Sequence, residues 1–188
     1  MHVLVTAASR YGSTAEIAAA IRGHLVDRGL DASLLDADRV TTLQPYDAVV
    51  LGSAVYAGRW TKPARELVER VADQWSDCPV WLFSSGPVGD PPKPDDDTVD
   101  VAETMEATGA RGHVVLPGRV DRSLLGFGER AIVRALHVPD GDFRDWAAVE
   151  DFARTVAESL HAGEPSDADV DADGAIPERP VAPRARPS

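Results

Sequence analysis

Short apolar runs closed by small or polar residues alternate along this chain with stretches in which apolar residues recur every three or four positions. Val3-Leu4-Val5, Ala32-Ser33-Leu34-Leu35, Ala48-Val49-Val50-Leu51, Val80-Trp81-Leu82-Phe83 and His113-Val114-Val115-Leu116 read as five strands. The first of them has the unbroken β-branched character of a strand buried on both faces. Between them, Ile17, Ile21 and Leu25 mark a helix that Gly29 stops, and Pro63 opens a second helix whose apolar face holds Leu67, Val68 and Val71. A third helix is expected over residues 98–108. The last covers residues 145–161, with Asp145 as its N-terminal cap and Trp146, Val149, Phe152, Ala153, Val156 and Leu160 at helical spacing. Strands separated by helices predict an α/β fold, a doubly wound five-stranded parallel sheet with helices on both faces. The rhythm breaks once, at an insertion over residues 119–144 that carries an inserted helix near 124–136, before the last helix. Beyond Gly163, alternating Asp and Ala, then Pro and Arg, leave little to bury, so the domain is expected at 1–162 and an acidic, proline-rich disordered tail at 163–188.

Composition narrows the function. At 188 residues the chain suits one domain, and its formal charge of −12 disfavours nucleic acid and anionic lipid, which are bound mainly through Lys and Arg. The tail holds six acids against three arginines, so most of the excess negative charge sits on the body. No apolar run approaches the roughly 20 residues that span a bilayer, although peripheral membrane contact stays open. Cys78 is the single cysteine and cannot form an internal disulfide; with no basic, apolar leader at the start, a cytoplasmic location is expected. The five histidines and Cys78 have no metal-ligand spacing, so no metal is expected.

Three segments after strand ends have the make-up of binding loops, which in open parallel sheets lie outside the carboxyl ends of the strands. The first is Ser9, Arg10, Tyr11, Gly12, Ser13 and Thr14, rich in hydroxyls, with Gly12 just before a helix whose N–H groups and dipole favour a phosphate. It has neither the Gly-Lys-Ser/Thr of a nucleoside-triphosphate loop nor three spaced glycines, so a single phosphate monoester fits best. The plainer alternative is that Ser13 or Thr14 merely caps the helix. The second loop is Ser53, Ala54, Val55, Tyr56, Ala57, Gly58, Arg59 and Trp60, where small residues admit a close backbone approach and Tyr56 and Trp60 offer faces for a planar ring. At least one of these two aromatics is expected to cover the adjacent helix instead. Ser84, Ser85, Gly86 and Gly89 belong to the third loop, suited to the polar edge of such a ring.

The first loop resembles the phosphate-binding loop of flavodoxins, and Ser9-Arg10-x-Gly12-x-Thr14 is close to that of the menaquinone-dependent protoporphyrinogen dehydrogenases. Residues 52–58, the insertion after the fifth strand and Asp145-Trp146-x-x-Val149-x-x-Phe152 look like the same branch, so the resemblance covers about residues 1–162. It implies a flavodoxin-like sheet of order 2-1-3-4-5 and flavin mononucleotide (FMN) as cofactor. The phosphate would lie on Ser9 to Thr14, and the ring between Ala54, Val55, Tyr56, Ala57, Gly58 on one side and Ser85, Gly86, Gly89 on the other. The chemistry would be the flavin's, with no catalytic side chain required. Two departures stand out. The third loop lacks the tyrosine that flavodoxins usually stack on the flavin, leaving that role to Tyr56 or Trp60 or the flavin more exposed, and the acidic body gives no help in meeting a membrane.

The expected function is an FMN-dependent oxidoreductase acting between flavin and a small organic substrate or quinone, with porphyrinogen oxidation as the named candidate. The alternative is a flavodoxin-type electron carrier whose partner is a redox protein; a homodimer stays open. Other polar features read as structural. Asp95-Asp96-Asp97 favours the N-terminus of the following helix or solvates a loop, most of Arg119, Arg122, Arg130 and Arg134 belong to a solvated face although Arg suits a substrate carboxylate, and Cys78 is structural or incidental rather than redox-active.

Overall fold

The computed structural model describes residues 1–56, 58–86, 101–121, 123–124, 126, 130 and 140–163. The inserted helix, the tail, residues 98–100 of the third helix, Ala57 and Gly89 lie wholly or largely outside them.

The main strands are β1 (His2–Ala8), β2 (Asp31–Asp36), β3 (Ala48–Tyr56), β5 (Val80–Ser85) and β6 (Gly112–Leu116), with a short β4 (Arg59–Trp60) folded back on β3. All neighbours among the five main strands are parallel and their order is β2-β1-β3-β5-β6, which is 2-1-3-4-5 when those five alone are numbered. A second, two-stranded ribbon pairs β7 (Arg119–Val120) with β8 (Gly141–Asp142). The helices are α1 (Ser13–Asp27), α2 (Lys62–Arg70), α3 (Ala102–Thr108) and α4 (Trp146–Ala162).

Side chains alternate across each strand and so build two cores. Val3, Val5, Val50, Trp81 and Phe83 pack under α1 and α4, against Ile17, Ile21, Leu25, Val149, Val156 and Leu160. Leu4, Val49, Leu51, Val80 and Leu82 pack under α2, against Leu67, Val68, Val71 and Trp75. The helix after β1 and the helix after β3 therefore cover opposite faces, and the gap they leave opens between those two adjacent strands.

Several boundaries differ from those the sequence predicts. β3 and β5 run on through Ser53-Ala54-Val55-Tyr56 and Ser84-Ser85, residues expected to be loop. Their polar groups are satisfied in the sheet: Ser53 Oγ accepts the Thr61 N–H at 3.0 Å and donates to the Ala54 carbonyl at 2.9 Å. Val71 is fully buried but lies just past the end of α2. Trp146, expected on the apolar face of α4, is exposed and stacks instead against the Arg144 guanidinium, 4.5 Å from its ring centre. Asp145 caps α4 as expected, accepting from the N–H groups of Ala147 and Ala148, each at 3.0 Å. Among the described residues no helix is long and apolar enough to cross a membrane.

Candidate functional site

Parallel register brings the three predicted loops to one edge. Ala8 lies beside Ser53, Ser53 beside Ser84, and Ala54 beside Ser85, so the loops leave β1, β3 and β5 side by side. Adjacent strands stand about 4.8 Å apart, which places the first and third loops about 10 Å from each other across the second. This is the carboxyl edge of the sheet at the point where α1 and α2 diverge to opposite faces.

The first loop turns into α1 through Gly12, whose φ of 86° is comfortable only for glycine. Ser9 Oγ accepts the Gly12 N–H at 3.1 Å and fixes the turn. The plainer reading of this loop, in which Ser13 or Thr14 caps the helix, does not hold: among the described residues no side chain caps α1. Ser13 Oγ instead accepts the Arg119 N–H at 3.0 Å, and Thr14 is buried. The N–H groups of Ser13, Thr14 and Ala15 open the helix without intrahelical acceptors, so the positive end of its dipole faces out of the loop. Arg10 reaches across to the second loop, its guanidinium carbon 5.3 Å from the Tyr11 ring centre and 5.7 Å from that of Tyr56.

The two aromatics of the second loop part company. Trp60 is only 3% exposed and donates its Nε1–H to Ser84 Oγ at 2.7 Å, which in turn meets His113 Nε2 at 2.8 Å. It belongs to the core, as expected of at least one of the pair, while Tyr56 remains half-buried at the end of β3. The hairpin from β3 to β4 pairs Val55 with Trp60 and Tyr56 with Arg59, and Gly58 in its turn has a φ of 76°. Ser53 Oγ locks the base of the hairpin, since its proton goes to Ala54 and Thr61 must therefore donate its hydroxyl at 3.0 Å. The third loop starts tight against this hairpin: a Cβ on Gly86 would stand 2.8 Å from Val55 Cβ. Gly86 also donates its N–H to the Leu116 carbonyl at 3.2 Å.

One feature of the site escapes sequence reading. Glu16, in the first turn of α1, is held by Arg119 at 2.9 Å and by Arg144, and Arg144 also grips Asp142. The hydrogen bond from Arg144, helped by the charges of Arg144 and Arg119, holds the Glu16 carboxyl below its usual range despite an opposing burial effect. Arg144 does the same for Asp142, and the carboxylates in turn keep its guanidinium protonated. Arg119 and Arg144 bracket the insertion, so its root is pinned beside the first loop. Partners 103 and 128 residues apart in sequence leave no local pattern that would reveal them. Cys78 is not part of this chemistry, since burial first and then Asp77 and Asp47 push its thiol above the ordinary value.

The described residues thus offer an uncapped helix start for a phosphate, a half-buried tyrosine and small-residue loops for a flat ring. Ser9, Arg10, Tyr11, Gly12, Ser13, Thr14, Ala54, Val55, Tyr56, Gly58, Ser85 and Gly86 all gather at this edge, while Ala57 and Gly89 lie outside the described residues. That donor set fits FMN. Comparison with solved structures finds the same fold in a flavodoxin from the domain Archaea, 14% identical with a TM-score of 0.58 over 86% of this chain and 99% of that one. A Streptococcus pneumonia TIGR4 flavodoxin is similar at 18% identity and a TM-score of 0.59, over 85% of this chain and 99% of its own. The rubredoxin oxygen:oxidoreductase of Desulfovibrio gigas aligns with 86% of this chain at 15% identity and a TM-score of 0.59, but this chain spans only 36% of its length. No curated protein matches. A sequence model of the Flavodoxin domain matches residues 4–146. The chain therefore belongs to the flavodoxin domain family, and FMN is its cofactor.

Proposed function

We propose that this chain is an FMN-dependent oxidoreductase that moves electrons between the flavin and a small organic substrate or quinone, with protoporphyrinogen as the candidate substrate. The observation that supports a substrate site over a bare carrier is the root of the insertion. The β7–β8 ribbon opens and closes the segment beside the first turn of α1, tied there through Ser13, Glu16, Arg119 and Arg144. A carrier that presents its flavin edge to a protein has no need of some twenty residues rooted at that edge.

In this reading Ser9, Arg10, Tyr11, Gly12, Ser13 and Thr14 hold the phosphate, while Ala54, Val55, Tyr56, Ala57, Gly58, Ser85, Gly86 and Gly89 flank the ring. Bound FMN supplies the electron-accepting and electron-donating chemistry. The chain binds and orients it: the α1 N–H groups neutralise the phosphate, Tyr56 covers one ring face, and the backbone of the second loop can accept a proton-bearing ring nitrogen's hydrogen bond.

A second reading, an electron carrier between redox proteins, is favoured by the net charge of −12, which would steer the chain to a basic partner. Purified protein separates the two. With FMN bound, rapid anaerobic reoxidation by menaquinone together with turnover of protoporphyrinogen supports the dehydrogenase. Stepwise one-electron titration with no turnover of either compound, but fast exchange with a basic redox protein, supports the carrier. A protein that takes up no flavin sinks both.

A further inference from the structure

The first loop contains no lysine, and Arg10, its one cation, is engaged with the rings of Tyr11 and Tyr56. A second cation nevertheless stands at the helix start. A Cβ built on Gly12 would lie 4.0 Å from Arg119 Nη2 and 3.9 Å from Glu16 Oε1, so the guanidinium and the carboxylate both border the turn that leads into α1. Arg119 is fixed there from its backbone, whose N–H is bonded to Ser13 Oγ at 3.0 Å.

The charges are arranged so that one of them can be shared. Glu16 takes hydrogen bonds from two arginines. Arg144, with its side chain only 5% exposed, is clamped between Glu16 and Asp142, whereas the Arg119 side chain is 31% exposed. If Arg119 turns to another anion, Arg144 still neutralises Glu16. Without Arg119, a phosphate at this helix start would lie near a Glu16 carboxylate neutralised by Arg144 alone, with no cation on the insertion side to meet it.

We propose that Arg119 is a phosphate-binding residue, supplied by the root of the insertion rather than by the first loop, which exchanges its contact with Glu16 for one with the FMN phosphate. The inference rests on the reading of 9–14 as the phosphate loop and adds to it a selectivity for phosphorylated over unphosphorylated flavin. It also makes cofactor binding and the seating of the insertion depend on the same side chain.

The test compares FMN with riboflavin, which carries the same ring without the phosphate, by fluorescence titration of the full chain and its variants. Arg119→Gln should weaken FMN by about 10- to 100-fold, the range for losing a charge-assisted hydrogen bond, while riboflavin affinity changes less than about twofold. Arg119→Lys should recover part of the loss. Glu16→Gln provides an independent arm: by removing the competing carboxylate it should tighten FMN and leave riboflavin unchanged. The proposal is overturned if Arg119→Gln leaves the FMN-to-riboflavin affinity ratio as it was, or if Glu16→Gln weakens FMN, which would make the ion pair merely structural. Wild-type protein that binds neither flavin, or both equally, overturns the phosphate-loop reading itself and the proposal with it.

Discussion

Gly86 is the position where the second and third loops press on each other, and replacing it by Ala crowds that contact. The new Cβ would sit 2.8 Å from Val55 Cβ, 3.4 Å from its Cγ2 and 3.7 Å from its Cα. Carbon atoms are comfortable at about 3.5–4.0 Å, so the loops must separate by roughly 0.6 Å or more. The base of each is held: Ser85 pairs with Ala54, the Gly86 N–H is bonded to Leu116, and Val55 pairs with Trp60. Overpacking of this kind costs about 1–3 kcal/mol. Some of that appears as lower stability of the flavin-free protein, at about 2–4 °C of Tm per kcal/mol for a chain of this size. The rest appears as a wider slot around the ring, and a loss of about 1 kcal/mol there weakens binding roughly five-fold. Because the ring and not the phosphate is affected, FMN and riboflavin should lose affinity together, unlike the phosphate-selective loss expected of Arg119→Gln. Paired fluorescence titrations and a thermal melt read both parts. Affinities for both flavins within twofold of wild type, with Tm unchanged within 1 °C, would refute the argument that these loops are in contact as tightly as the geometry indicates.

Four further outcomes are expected from the packing and the ion pairs. Gly52→Ala would put a Cβ 2.0–2.5 Å from three ring atoms of the fully buried Phe83, so it should cost about 3 kcal/mol or more in urea unfolding, with partial recovery in the Gly52→Ala/Phe83→Leu double variant. Thr6 is fully buried and its Oγ1 has no hydrogen-bond partner among the described residues; Thr6→Val, which keeps the shape and removes the hydroxyl, should raise stability by about 1 kcal/mol, and a lower Tm would reveal a partner. Asp145→Ala removes the acceptor for two N–H groups at the start of α4 and should cost about 1 kcal/mol, where no change would mean that water caps the helix equally well. Glu16 and Asp142 have folded pKa values below their unfolded ones, so their contribution to stability is present above the unfolded values. It should fall away as pH drops below about 5 and through the folded values, and Arg144→Gln should flatten that slope in acid unfolding curves; parallel slopes would show that the pairs are screened by their exposure.

The sequence revealed strands where both faces are buried, because Val3-Leu4-Val5 and Val80-Trp81-Leu82-Phe83 have no polar residue to satisfy and no other good place in a small domain. It was least informative at the carboxyl ends. Gly52-Ser53-Ala54 has loop composition, yet stays in the sheet because the Phe83 ring covers Gly52 and Thr61 satisfies Ser53. Trp60 and Tyr56 offered the same chemistry on paper; only the partner at Ser84 makes the first a core residue. The strand order itself came from the resemblance to flavodoxins, since nothing in five similar apolar runs says which neighbours which. The ion pairs of Glu16 join segments more than a hundred residues apart and depend on a fold that no local pattern encodes.

The strand ends that have loop composition and the candidate site coincide for a physical reason. Each central strand passes from bulky to small side chains as it nears the site: Val3, Leu4, Val5 give way to Ala7, Ala8; Val49, Val50, Leu51 to Gly52, Ser53, Ala54 before β3 ends on Val55 and Tyr56; Leu82, Phe83 to Ser84, Ser85 and then Gly86. Register aligns these small residues in rows, Ala7 with Gly52, Ala8 with Ser53 and Ser84, Ala54 with Ser85. A row of small residues buries little apolar area and so gives up stability that larger side chains would supply. What it gives in return is a thin edge over which three backbone loops can close on something flat. The narrowing is a property of pairing as well as of composition, which is why each strand taken alone reads as ending early while the three together form one thin edge.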